Sequence, residues 1–206
     1  YATDLNDHPK LARNTFRDRA VQFKFRLGWN VSLDDVGFER DEYDELNPLY
    51  VIWEEPDGSH GGSMRFLPTT GRTMVNEHFI NILLGPITSP FIWECTRFCL
   101  NRGAGRHVAA ALMLGGGEVM QNFSVEHFVG VFDARMIRIY RIIGASPEVL
   151  GSAGQGSDQI SVGLWHFDDD IAAQLADRAG VSPLLSRKWF DRSFGSTPLR
   201  TSVRTG

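Results

Sequence analysis

The stretch FIWECTRFCL-NRGAGR-HVAAALMLGGGEVMQN, residues 91–122, decides the fold. Its first ten residues are rich in apolar, aromatic and cysteine side chains and predict a strand. The glycines of NRGAGR predict a turn that leads into a helix running to about residue 122, within which the run Gly115-Gly116-Gly117 is a potential end or kink. Strands that alternate with helices along the chain predict a mixed α/β sandwich around one sheet.

The same signals recur on both sides of this stretch. The spacing of apolar residues predicts helices over residues 10–26, 73–84, 134–143, 168–179 and 181–190. β-rich composition predicts strands over residues 49–54, 61–67, 129–132 and 159–167. The first two strands are expected to form a hairpin around Asp57-Gly58, and the Gly/Ser-rich residues 151–157 predict a loop.

We therefore expect a single domain over residues 1–206, of the α/β (α+β sandwich) class. A basic helix and an acidic lid would occupy residues 8–48. The sheet core would occupy residues 49–145, and a C-terminal closing segment residues 146–206.

Composition excludes several classes of protein. The chain has 206 residues, 42% of them apolar, and a net charge of −4, which together predict an ordered globular protein. A dedicated nucleic-acid binder usually has a basic excess and is not expected. Two cysteines are too few for a disulfide scaffold or a four-thiolate zinc site. Short apolar runs and a polar amino terminus predict a soluble cytoplasmic protein.

Charge is sorted along the chain. Residues 8–29 contain six basic residues and one acid, whereas residues 34–57 contain ten acids and one base. One interpretation is two solvated faces that lie side by side. The alternative is that the two segments converge on a zwitterionic ligand, whose cationic and anionic groups both need partners.

Charged residues also interrupt apolar strands. Arg65 lies inside a predicted strand, and if buried it needs a carboxylate, for which the acidic segment just upstream is the nearest source. Glu94 and Arg97 face opposite sides of a regular strand, so only a bulge would bring both into one site. Cys95 and Cys99 on that strand are interpreted as core or near-core thiols.

Three further patterns carry weaker signals. Arg135, Arg138 and Arg141 form a basic stripe on one helix, which is either a solvated face or a docking site for an acidic partner or a phosphate. The segment Arg102-Gly-Ala-Gly-Arg106 half matches the phosphate-binding loop of acetyl-CoA-dependent acyltransferases, but His107 follows where a small residue is expected. The histidines show no metal-ligand spacing, so no metal site is expected.

Taken together, residues 16–100 resemble the acyl-homoserine-lactone synthase (LuxI-type autoinducer synthase) family. The family pattern is an arginine, a phenylalanine, Arg-Leu-Gly-Trp, an acidic Glu-x-Asp-x-(Tyr/Phe)-Asp block, a strand arginine and Glu-x-x-Arg-Phe. The matching residues are Arg19, Phe23, Arg26-Leu27-Gly28-Trp29, Glu39-x-Asp41-x-Tyr43-Asp44, Arg65 and Glu94-x-x-Arg97-Phe98. Each motif alone is weak, whereas the ordered set is specific; beyond residue 100 the match is thin.

The resemblance implies a mixed central sheet flanked by helices, similar to the GNAT N-acyltransferases, with a V-shaped cleft. It implies two substrates and no cofactor: S-adenosylmethionine (SAM), and an acyl thioester on acyl carrier protein or on CoA. The SAM amine would attack the thioester. The methionine carboxylate would then close on its own γ-carbon and expel methylthioadenosine, which leaves an acyl-homoserine lactone, a quorum-sensing signal.

The resemblance also implies roles for individual residues. The expected catalytic residues are Glu94, as the base for the amine, and a charged network of Arg65, Arg97, Asp41 and Asp44. The expected SAM-binding residues are Arg19, for the carboxylate, and Phe23 and Trp29, which would cover the ligand. The expected acyl-pocket residues are Met74, Phe98 and Gly130, with residues 146–206 contributing to the pocket. The expected docking residues for the carrier protein are Arg135, Arg138 and Arg141.

Gly130 aligns loosely with a threonine of family members that prefer 3-oxo chains. The missing hydroxyl argues against such a chain, and extra room at this position would admit a longer or 3-hydroxy chain.

Two other functions stay open at this point. The first is a GNAT-type N-acyltransferase that uses acyl-CoA on another amine, against which the interrupted glycine loop speaks. The second is a non-catalytic module that binds acyl carrier protein or an acyl ligand. Methylthioadenosine release would separate the synthase from both.

Overall fold

The structure is a computed structural model, which describes residues 1–195. Its strands are β1 (Leu49–Glu54), β2 (His60–Pro68), β3 (Ile92–Leu100), β4 (His127–Asp133), β5 (Glu148–Ala153) and β6 (Ile160–Trp165). They form one mixed sheet in the order β1-β2-β3-β4-β6-β5. The β3/β4 pair is parallel and the other neighbouring pairs are antiparallel.

Helices flank this sheet. They are α1 (Pro9–Arg19), which continues as a π-helical segment (Ala20–Arg26), α2 (Met74–His78), α3 (Arg106–Asn122), α4 (Ala134–Ile143), α5 (Asp169–Ala179) and α6 (Pro183–Phe194). Short 3₁₀ helices cover Ala2–Asp7, Asp44–Leu46, Ile80–Ile82 and Gly156–Asp158. The sequence-based predictions of the mixed sheet, of the first hairpin and of most helices are confirmed.

Two predicted elements are wrong. Residues 151–157 were expected to form a loop, but the segment Glu148–Ala153 is the edge strand β5, where the Ser152 hydroxyl lies 2.8 Å from that of Ser161. The helix predicted over residues 73–84 is shortened to α2 and a 3₁₀ turn. Its chain turns back because the Asn76 side chain exchanges two hydrogen bonds with the backbone of Ile87, at 2.7 and 2.9 Å.

The predicted internal boundary after residue 145 does not coincide with the edge of the sheet, because β5 and β6 follow it and belong to the same sheet. The end of the predicted closing segment, residues 196–206, lies outside the described residues. No helix among residues 1–195 has the length and apolarity needed to cross a membrane.

Helix α3 runs unbroken through its three glycines. A Cβ atom on Gly115 would lie 2.9 Å from Val51 Cγ1, and one on Gly116 would lie 3.3 Å from a ring carbon of Phe128. Glycine in a helix interior costs about 1 kcal/mol relative to alanine. The glycines therefore serve close packing of α3 on its neighbours, and do not end the helix as the sequence allowed.

The sheet opens between β3 and β4. These parallel strands pair only where Ile92, Trp93 and Glu94 lie beside residues 127–129, and they separate after that point. The separated halves, residues 95–98 and 130–133, form the two sides of a V-shaped gap in the sheet. This confirms the V-shaped cleft that the resemblance implied.

A bulge in β3 lies at this gap. Arg97 has a φ of +53°, and the register between β2 and β3 shifts between Ser63 and Arg65. Arg65 pairs with Thr96, so the two side chains share one sheet face. The bulge turns Arg97 toward that same face, where it meets the partners of Arg65. Of the two alternatives that the sequence left open, the bulge is the one that occurs.

Candidate active site

A cavity of about 650 Å³ occupies the gap between β3 and β4. Thr96 and Arg97 line it from one sheet face, and Met64 and Cys95 line it from the other. The cavity therefore passes through the sheet. We call its two ends the polar arm, on the face of Arg97, and the apolar arm, on the face covered by α3.

Methionines are concentrated around this cavity. The chain contains five methionines, and all of them line it: Met64, Met74, Met113, Met120 and Met136. Methionine is unbranched and flexible, and it adapts to the shape of an apolar ligand. Phe98, Phe128 and Trp165 also contribute to the apolar lining. The apolar arm is suited to a flexible hydrocarbon.

The polar arm is covered by an aromatic pair. The rings of Phe23 and Trp29 stack at 5.1 Å with an interplanar angle of 12°, and both line the cavity. The guanidinium carbon of Arg97 lies 5.5 Å from the centre of the Phe23 ring. The π-helical segment carries Phe23 and the chain turn at Gly28 carries Trp29, so the end of the first helix provides this cover.

A buried network of ions lies beneath the polar arm. Arg19 is fully buried, and its Nε donates to Glu39 at 2.5 Å. Its two terminal nitrogens donate to the two carboxylate oxygens of Asp44, each at 2.9 Å. Asp44 also accepts from the Tyr50 hydroxyl. All three guanidinium nitrogens of Arg19 are therefore engaged.

Arg65 continues this network. Its Nε donates to the Thr96 hydroxyl at 3.0 Å, and its terminal nitrogens bind Asp41 and Asp44, with an Nη1–Asp44 distance of 2.8 Å. The side chain is fully buried. The prediction that Arg65 takes its carboxylate from the acidic segment just upstream is confirmed.

Arg97 closes the network on the cavity side. Its Nη2 lies 2.9 Å from Glu39 and 2.7 Å from Asp41. The arginines Arg19, Arg65 and Arg97 therefore face the carboxylates Glu39, Asp41 and Asp44, so the charges balance. Glu39 is fully buried and belongs to the family motif, but it was missing from the predicted site. Its place between two arginines is a tertiary contact that no sequence spacing reveals.

The charges of the network shift the pKa values of Asp44 and Arg65. Burial alone would raise the pKa of Asp44, but the charges of Arg19 and Arg65 hold that pKa well below its usual range. Burial of Arg65 is likewise outweighed by Asp41 and Asp44, which raise its pKa. Asp44 and Arg65 therefore stay ionised at neutral pH.

Glu94 occupies a different environment. It is 1% exposed, and its carboxylate accepts hydrogen bonds from the backbone N–H groups of Met74, at 3.0 Å, and Val75, at 2.6 Å. It thus caps α2. Burial raises the pKa of Glu94 to about 7, against the opposing effects of these two amides and of Arg65 and Arg97. A carboxyl group with this pKa can exchange a proton near neutral pH.

The predicted site residues fall into three groups. Those that line the cavity are Phe23, Trp29, Asp41, Met74, Arg97, Phe98, Gly130 and Arg135. Arg19, Asp44, Arg65 and Glu94 lie behind this lining. A substrate carboxylate would reach Arg19 only by displacing Glu39 or Asp44. Arg138 and Arg141 are exposed on α4, whereas Arg135 binds Asp133 at 2.6 Å.

The space beside Gly130 is already filled, contrary to the prediction. A Cβ atom here would lie 2.9 Å from the Cys95 carbonyl oxygen and 3.2 Å from the Trp165 ring. The room that the sequence assigned to the missing side chain is therefore taken up by β3 and Trp165, and it is not available to a longer chain. The absence of a side chain at residue 130 lets β3 and the Trp165 ring approach closely.

Two weaker patterns lie outside the site or lack support. The glycine turn at residues 102–106 does not line the cavity. Among residues 1–195, one exposed group with metal-ligand geometry was found, formed by Glu42, Glu77 and His78. Glu77 in that group already binds Arg72 and the Tyr43 hydroxyl. The expectation that the site uses no metal stays a prediction.

Known proteins are similar to this chain in sequence and in fold. Residues 3–175 match the model of the autoinducer synthase family. The chain belongs to the autoinducer synthase family. An acyl-homoserine-lactone synthase from Rhizobium etli is 41% identical over 180 residues, which are 84% of each chain. This confirms the prediction of an acyl-transferring enzyme of the acyl-homoserine-lactone synthase type.

Solved structures share the fold of this chain. MesI, a CoA-dependent acyl-homoserine lactone synthase, is 22% identical and superposes with a TM-score of 0.76 over 89% of this chain and 95% of its own. TofI, solved with an inhibitor and MTA, is 25% identical and gives a TM-score of 0.67 over 84% and 91%. The synthase fold, similar to that of the GNAT acyltransferases, is thereby confirmed.

The first prediction concerns the buried network. Replacing Arg65 with alanine leaves Asp41 and Asp44 buried with one cation fewer, so we expect a loss of about 3–5 kcal/mol in the free energy of unfolding, or failure to fold. Arg72→Ala is the matched control: Arg72 is exposed and its ion pair is with Glu77, so its loss should lower the free energy of unfolding much less. Urea denaturation of both variants measures this, and equal losses would contradict the network's role.

The second prediction concerns Glu94. Folding raises its pKa from 4.5 to about 7, so the stability it contributes is full below pH 4.5 and is lost as the pH rises to about 7. From pH 4.5 to 7, the free energy of unfolding of the wild type should therefore fall relative to that of Glu94→Gln, by on the order of 3 kcal/mol. Chemical denaturation across this range tests it. Parallel pH profiles of the two proteins would show that the carboxyl is not perturbed.

Proposed function

We propose that this synthase makes an N-acyl-homoserine lactone from SAM and an acyl thioester, and releases methylthioadenosine. The single observation that carries the proposal is the cavity that joins a charged, aromatic arm to an apolar arm through the gap in the sheet. The two ends suit two different substrates whose reacting groups would meet between β3 and β4. TofI, a solved relative, holds MTA, the usual abbreviation of methylthioadenosine.

SAM fits the polar arm by its charges. The stacked rings of Phe23 and Trp29 offer π faces to the sulfonium. Asp41 and Arg97 line the same arm and offer a carboxylate to the ammonium and a guanidinium to the carboxylate. In this proposal Arg19 and Asp44 lie one layer further in and keep Glu39, Asp41 and Arg97 in place.

The first step forms the amide. The SAM amine attacks the thioester carbonyl, so that an N–C bond forms and the C–S bond breaks. The nitrogen gives up a proton to the base, and the departing thiolate takes up one proton and leaves as a thiol. Glu94, with its pKa near 7, is the proposed base. Because its carboxylate is held behind Met74 and Val75, the proton would reach it through water or after a shift of α2.

The second step closes the ring. A carboxylate oxygen of the acylated SAM attacks its own γ-carbon and displaces the sulfonium sulfur, which leaves as neutral methylthioadenosine. The leaving group needs no protonation, so the step depends on holding the chain in a bent conformation. The stacked aromatic cover supports this positioning. No cofactor is required in this scheme.

The acyl donor is proposed to be an acyl carrier protein, with acyl-CoA as the alternative. Arg138 and Arg141 are exposed on α4, and Ile142 beside them is 64% exposed. α4 follows β4, whose residues 130–133 line the cavity, so a partner bound there would deliver its thioester at the gap. Carrier proteins are acidic, which complements this stripe. We place the reaction in the cytoplasm, which supplies both substrates.

The proposed reaction is tested by incubating the protein with SAM and a panel of acyl carrier protein and acyl-CoA donors. We expect equimolar release of lactone and methylthioadenosine, measured by mass spectrometry. If no donor yields methylthioadenosine, the proposed reaction is wrong. Acylation of other amines in the absence of SAM would instead favour the GNAT-type alternative.

The third prediction concerns donor docking. Reversing two exposed charges in Arg138→Glu/Arg141→Glu should raise KM for the carrier-bound donor about tenfold and leave KM for the same acyl chain on CoA within about twofold. Arg13→Glu/Arg192→Glu is the matched control, since both residues are exposed arginines, on α1 and α6. Steady-state kinetics with both donors decide the point. An equal rise in KM for the two donors would refute carrier docking at α4.

A further inference from the structure

The geometry points to Phe167 as the residue that sets the length of acyl chain the synthase accepts. This inference rests on the proposed function, because it assigns the apolar arm to the acyl chain. Phe167 follows the last residue of β6 by two positions and precedes α5, in a region where the resemblance to the family was thin. The packing around its ring gives Phe167 this role.

Phe167 lines the apolar arm together with one side of α3 and of α5. Gly117 and Met120 contribute from α3, and Ile171 and Leu175 contribute from α5. The ring of Phe167 lies against Gly117 of α3, and residue 167 stands two positions before the start of α5. A chain that entered through the gap in the sheet would meet this wall at the α3 face.

Gly117 is what allows the ring to lie there. A Cβ atom on Gly117 would be 2.0 Å from the Cζ atom of Phe167 and within 2.4 Å of both Cε atoms. No residue larger than glycine fits this position while the ring stays in place. Gly117 and Phe167 therefore form one packing unit. Because α3 has no side chain at residue 117, the Phe167 ring can lie against the helix and form the cavity wall.

The backbone around Phe167 is fixed on both sides. The preceding Trp165 donates from its indole nitrogen to the Ala145 carbonyl at 2.9 Å. The following Asp168 caps α5 by accepting from the backbone N–H of Ile171 at 2.8 Å. Shortening the side chain at residue 167 should therefore change the volume of the cavity and leave the path of the chain in place.

The size of the effect follows from burial of methylenes. Each methylene that gains an apolar environment strengthens binding about fourfold. A wall moved back by the length of two methylenes should therefore change the affinity ratio of two chains that differ by this length roughly tenfold.

The experiment measures binding of a series of saturated acyl chains, carried on acyl carrier protein and on CoA and varied in steps of two methylenes, by calorimetry in the absence of SAM. We expect Phe167→Ala to raise the affinity for chains one step longer than the wild-type optimum roughly tenfold relative to the optimum chain. Phe167→Leu should give a smaller shift in the same direction. Phe123→Ala is the matched control, because Phe123 packs against the same hydrophobic core but does not line the cavity.

A second measurement tests the packing unit. Gly117→Ala should lower the melting temperature of the wild type because of the clash with the ring. In the Phe167→Ala background it should leave the melting temperature unchanged or raise it, because alanine favours helix. Loss of stability in both backgrounds would show that the ring is not what excludes a side chain.

The outcomes separate this inference from the proposed function. If both Phe167 variants keep the wild-type order of affinities along the chain series, or if the wild type binds no acyl chain, the inference is wrong. If the chain-length shift occurs but no methylthioadenosine is released with SAM, the inference holds and the proposed reaction fails.

Discussion

The rest of the structure depends on the pairing of three arginines, two of them fully buried and the third lining the cavity, with three carboxylates. Arg19 comes from the first helix and Arg65 and Arg97 from two neighbouring strands, while the carboxylates come from one loop segment between them. None of these charges could be buried alone at acceptable cost. Folding therefore requires the helix, the loop and the sheet to meet together. The separation of basic and acidic residues along the chain reflects this requirement. The network itself has a net charge close to zero.

The network also determines where the cavity can form. By holding the acidic loop against β2 and β3, it covers one face of the sheet close to the place where β3 and β4 separate. Helix α3 covers the other face. The acidic loop and α3 thus cover the gap on the two faces of the sheet. The cavity that passes through the gap joins a charged environment to an apolar one. A reaction between a zwitterion and an apolar chain needs this combination.

The sequence predicted what depends on local pattern or on charge that must be neutralised. The first hairpin, the long helix after β3 and the need of Arg65 for an upstream carboxylate were predicted. The sequence did not decide between a bulge and a regular strand at Arg97, because that choice depends on register with β2. The partners of Glu94 are backbone amides of α2. Almost any residue type supplies such an amide, so the sequence could not reveal them. At Gly130 and Gly117 the deciding atoms belong to residues far along the chain, so neither the lack of room nor the close ring could be inferred from spacing.

The methionine lining exposes the cavity to one kind of chemical damage, the oxidation of thioethers. Oxidants convert a thioether into a sulfoxide, which is polar and chiral. Because all five thioethers of this chain face the same cavity, such damage would be concentrated where an apolar ligand must bind. The surface of the protein would be left largely unchanged. Oxidation of these thioethers would therefore weaken the binding of an apolar ligand in this cavity, and reduction of the sulfoxides would restore it.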